Sequence, residues 1–97
     1  MYSMDKTIET LNRILGVEKS MRKEIIMLLQ NEIWNGEVIA DKTLSEILQE
    51  LAYDLDFYEP NKGWKEEDPS YYGNKRLEEI IKIGILKLEN HKKALAE

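Results

Sequence analysis

The chain contains no cysteine, which removes a disulfide framework, a thiolate nucleophile and a thiolate zinc site at one stroke. Long apolar runs are also missing, and no segment approaches the roughly 20 residues a membrane-spanning helix needs. The opening Met1-Tyr2-Ser3-Met4-Asp5-Lys6 lacks the basic start and apolar run of a signal peptide, so a cytoplasmic protein without membrane attachment is expected. No stretch alternates apolar and polar residues long enough to demand a strand, and neither an internal repeat nor a glycine-rich phosphate loop is present. Histidine occurs once, at His91, and no serine or threonine has a recognisable partner for nucleophilic catalysis. Proline occurs twice, and both Pro60 and Pro69 fall in one stretch.

What is present points to helices. Ninety-seven residues suit one domain, 1–97, with a modest core. Met4, Ile8, Leu11, Ile14 and Leu15 recur at helical spacing and predict a first helix over roughly 4–15, with Gly16 placed for a C-terminal cap. Met21, Ile25, Leu28, Leu29 and Ile33, with Ile26 beside them, predict a second helix that Ser20 could cap and Asn35-Gly36 ends. Leu44, Ile47, Leu48, Leu51, Leu55 and Tyr58 predict a third, opened by a Thr43–Glu46 capping box and stopped by Pro60. A fourth restarts near Asn74 with Leu77, Ile80, Ile81, Gly84, Leu88 and Leu95 on one face, where Gly84 would admit a close neighbour. His91 falls on that face between Leu88 and Leu95, as a packed or helix-end residue. The expected fold is an all-α antiparallel four-helix bundle, with one long acidic and aromatic loop, 59–73, between helices three and four.

The charge is uneven. Between positions 50 and 72 there are seven acids (Glu50, Asp54, Asp56, Glu59, Glu66, Glu67, Asp68) against two bases, while the rest of the chain balances twelve of each. That interval therefore holds the entire net charge of −5. A local negative field attracts a basic partner and repels nucleic acid, so direct nucleic-acid binding is not expected; an ordinary solvated acidic loop is the plain alternative. Advancing 100° per residue from Leu44 carries Tyr53 and Phe57 to the side opposite the core, beside Glu46 and Glu50. Glu50 and Asp54 stand one turn apart with like sign, which costs an isolated helix about 0.2–0.5 kcal/mol. Rings beside carboxylates are the composition of a protein-binding surface, unless Trp64, Tyr71 or Tyr72 folds back over them. Asp54, Asp56 and Tyr58 begin like a calcium loop, but Glu59-Pro60 stands where its turn glycine is needed. No metal, cofactor or small-molecule substrate is expected, and no enzymatic activity.

From about Leu44 to Leu88 the chain resembles the immunity proteins of the colicin D type, a bacterial self-protective family. The residues that carry the resemblance are Leu51 and Leu55, the exit Asp56-x-Tyr58-x-Pro60, the acidic Glu66-Glu67-Asp68, and Leu77 and Ile81 on the following helix. The chain departs from the pattern at Tyr71-Tyr72-Gly73-Asn74-Lys75-Arg76, where the family would have an acid-rich helix start. The resemblance implies a small helical bundle that binds the nuclease domain of a cognate toxin and masks its basic, RNA-binding active site. The local charge and the outward rings make Glu50, Tyr53, Asp54, Asp56, Phe57, Glu59, Glu66, Glu67 and Asp68 the expected binding residues. A small helical adaptor or regulatory module is the alternative.

Overall fold

The computed structural model describes residues 3–36, 38–59 and 71–96. Among them the chain forms four α-helices: α1 Met4–Gly16, α2 Arg22–Asn35, α3 Lys42–Leu55 and α4 Asn74–Ala96, with a single 3-10 turn, Lys19–Met21, between the first two. Helix α1 packs on α2 and α4, and α3 also packs on α2 and α4. The antiparallel bundle therefore closes in chain order. Leu11, Ile14, Ile25, Leu29, Leu48, Leu55, Leu77, Ile81 and Leu88 fill its interior, each contributing on the order of 1.5–3 kcal/mol of apolar burial. At Gly84 an added methyl group would lie 3.0 Å from Leu51 Cδ1, so the glycine does admit α3 closely. The 23 residues of α4 outrun the 13 or 14 of its neighbours, which leaves Leu95 exposed although it keeps the phase of the buried face.

Helix ends differ from expectation in instructive ways. Gly16 belongs to α1, which stops at the extended Val17, and no described residue adopts a positive φ. Ser20 lies inside the 3-10 turn and caps nothing, because α2 simply continues that turn from Met21. Helix α3 is capped by Asp41, whose Oδ1 accepts the Leu44 amide at 3.0 Å, and Thr43 is already helical. It ends at Leu55, short of Pro60; the chain then turns, and Tyr58 is buried from outside the helix. Met21 and Leu28, placed in the buried stripe by periodicity, are exposed. Of the 59–73 connection, residues 60–70 lie outside the described residues.

The described ends of that connection are tied to the bundle. Glu59 N–H donates to Tyr72 O at 2.9 Å and Tyr72 N–H to Phe57 O at 3.1 Å, a single parallel bridge. Beneath it, Asn74 Oδ1 accepts from both Tyr58 Oη (2.8 Å) and Arg22 Nη1 (2.9 Å). Arg22 is buried, and its remaining nitrogens donate to Ile14 O (3.0 Å) and Leu15 O (3.2 Å). Those carbonyls are among the last of α1 and have no partner within that helix. A cation there also suits the negative end of the α1 dipole. One arginine thus closes α1, opens α2 and fixes the start of α4.

Candidate functional site

The inward set Leu44, Leu48, Leu51 and Leu55 decides what the rest of α3 can do, because side chains 100° apart cannot all turn to the core. Tyr53 is consequently 62% exposed, and the half-buried Phe57 meets it edge-on, with ring centroids 5.2 Å apart at 74°. Glu50 stands exposed on the same side, 3.9 Å from Lys87 Nζ. Asp54 is half-buried and its backbone carbonyl accepts Tyr72 Oη at 2.6 Å. Asp56 is exposed on the α2 side, where Gln30 Nε2 reaches its Oδ1 at 3.4 Å.

The other expected binding residues fall elsewhere. Glu59 is turned inward beside Lys23, at 3.8 Å, with its side chain only 13% exposed. Glu66, Glu67 and Asp68 lie outside the described residues, as does Trp64. Tyr72 packs its ring on Tyr58, 6.2 Å away, and its hydroxyl on α3 backbone, so it goes to the bundle and leaves Tyr53 in solvent. Burial raises the phenols of both Tyr58 and Tyr72 above the ordinary value of 10.0, so both remain neutral donors. The structure therefore gathers Glu50, Tyr53, Asp54 and Phe57 on one surface, with Asp56 at its edge.

A groove flanks α3 on each side. Between α3 and α4, Ile47, Ile80 and Ile83 line about 200 Å³, with Glu50 and Asp54 on one wall and Arg76 and Lys87 on the other. Between α2 and α3, Met27, Trp34 and Leu55 line about 370 Å³ with Gln30, Asn31 and Asp56. Sequence reasoning passed over Met27 and Trp34. Their signal was available: seven residues apart, they share a face out of phase with buried Ile25 and Leu29, and both are exposed.

The remaining ionisable pair of interest is His91 Nε2 with Asp41 Oδ2, at 2.7 Å. The Leu44 amide and then His91 hold the Asp41 carboxyl below the usual carboxylate value of 3.8. Both of its oxygens are committed, one to capping α3 and one to joining α4. The pair is a fastening between helices. Among the described residues no three His, Asp or Glu side chains gather to hold a metal ion, and no helix is long and apolar enough to cross a membrane. Compared with protein-family models, curated proteins and solved structures, the chain matches none.

Proposed function

We infer that this chain is a non-enzymatic inhibitor of the immunity type, which binds the basic active site of a cognate nuclease toxin and excludes its RNA substrate. The observation that carries the reading is the outer face of α3, where the exposed Tyr53 and its edge-on partner Phe57 sit among Glu50, Asp54 and Asp56. An enzyme that cleaves RNA must offer cations to phosphate, so carboxylates presented at that spacing compete directly with the substrate. Rings supply the buried area that slows release, and the acidic field speeds encounter. Such a protein acts in the cytoplasm of the bacterium that makes the toxin. The resemblance to colicin D-type immunity proteins over residues 44–88 supports the same reading.

The alternative, a helical adaptor, draws on the Met27–Trp34 groove, whose apolar floor and polar rim of Gln30, Asn31, Lys23 and Asp56 suit a helix or extended segment. Gene context separates the two. An immunity gene lies directly downstream of a toxin reading frame with a basic C-terminal domain, and the two products co-purify; an adaptor has no such neighbour. Reversal of Glu66, Glu67 and Asp68 to lysine tests the acidic segment, and should slow association and weaken its salt dependence.

A further inference from the structure

The groove between α3 and α4 has a property that does not depend on any nuclease: its walls carry opposite charge. Glu50 and Asp54 stand on the α3 wall, Arg76 and Lys87 on the α4 wall, and the floor between them includes Ile80 and Ile83. Ile83 is 48% exposed, a large aliphatic surface left facing water at the centre of a charged rim. Within one copy Lys87 meets Glu50 at 3.9 Å, with both side chains about half exposed or more. A pair this exposed contributes little to stability, so its members can exchange partners at little cost.

Two copies can meet face to face across this groove in two symmetric ways. A two-fold axis along the groove, parallel to the helices, lays α3 of each copy over α4 of the other and leaves every residue at its own height. Because Glu50 and Lys87 are side by side in one copy, each Glu50 then meets Lys87 of the second copy, while Ile80 and Ile83 on each α4 lie opposite α3 of the other copy. An axis across the groove would stack α3 on α3 and set acid against acid. Charge complementarity selects the first. We propose that the chain forms a symmetric homodimer through the α3–α4 groove, with Ile80 and Ile83 at its apolar centre and reciprocal Glu50–Lys87 pairs at its rim.

The patch is small, which fixes the strength. The 14 residues of α3 span about 21 Å, and the molecule is 24 Å across in its middle dimension. The covered area is then roughly 500 Å² per copy, or about 1,000 Å² in all, below the roughly 1,200 Å² at which stable interfaces begin. The dimer is weak and reversible, with dissociation in the micromolar to millimolar range.

Sedimentation equilibrium of the full chain at low salt, from about 10 μM to about 1 mM, reads it directly. The wild type should become dimeric across that range. Glu50→Lys and Lys87→Glu should each remain monomeric, since each sets like charges in register, and an equimolar mixture of the two should recover a dimer of mixed composition. Both substitutions sit on exposed side chains, and thermal melts confirm that each variant is folded. A wild type that stays monomeric, a single variant that dimerises like the wild type, or a mixture that fails to recover would each overturn the proposal. No nuclease enters the experiment, so its outcome leaves the inhibitor reading standing or falling on its own.

Discussion

Two charged regions of this molecule use charge in opposite ways. At the junction of α1, α2 and α4, each of the three nitrogens of Arg22 has an acceptor: two helix-end carbonyls with no partner inside α1, and the Asn74 amide oxygen that Tyr58 also reaches. Along the outer face of α3, Glu50 and Asp54 are of like sign one turn apart, while Tyr53 leaves 62% of its surface in water. The first arrangement is what stability selects. The second is mildly destabilising in an isolated helix, and the exposed Lys87, 3.9 Å from Glu50, offsets little of that. The difference separates residues that build the bundle from residues that use it.

That comparison can be broken at three points. Arg22→Met keeps the aliphatic stem but strips donors from Ile14 O, Leu15 O and Asn74 Oδ1, and should cost about 3 kcal/mol or more in urea unfolding. A loss under about 1 kcal/mol would mean that water serves the junction equally well. Asp41→Asn tests the other fastening. The folded carboxyl sits below its ordinary 3.8, so the stability it contributes is present above that value and fades as the pH falls through the folded one. Asparagine can still cap α3 but cannot titrate. The gap in melting temperature between wild type and variant should therefore shrink from roughly pH 6 to roughly pH 3. Tyr53→Ala should change stability by no more than about 0.5 kcal/mol, because the ring is mostly exposed. If it is a binding anchor, the same change should weaken partner affinity by about 2 kcal/mol.

The periodic parts of the fold were legible, and the parts decided by distant residues were not. Leu44, Leu48, Leu51 and Leu55 mark the buried side of α3, and Gly84 marks its close approach, because both depend on one helix face. Asp41 and Thr43 are both good caps two residues apart. The choice between them is tied to His91, fifty positions on, which no local pattern displays. Arg22 reads as solvated beside Lys23 and Glu24 until the ends of α1 and α4 are seen to converge on it. Leu28 looks buried by spacing, yet among the described residues α2 packs mainly on α1 and α3, and Leu28 stays exposed. In the candidate site the exposure of Tyr53 followed from helical angle, whereas Phe57 lies in the turn beyond the end of α3 and is half-buried, and the inward turn of Glu59 required Lys23 from another helix.

The account stands most directly on the kinetics of capture. If the inhibitor reading holds, the basic C-terminal domain of a toxin encoded directly upstream would be mixed with wild type and with Glu50→Lys/Asp54→Lys in stopped flow at several salt concentrations, with melts showing both proteins folded. The predicted result is an association rate at least about tenfold slower for the variant at low salt, with a flatter dependence on ionic strength. Equal rates and equal salt slopes for the two proteins would contradict it, and would return the outer face of α3 to ordinary solvated surface.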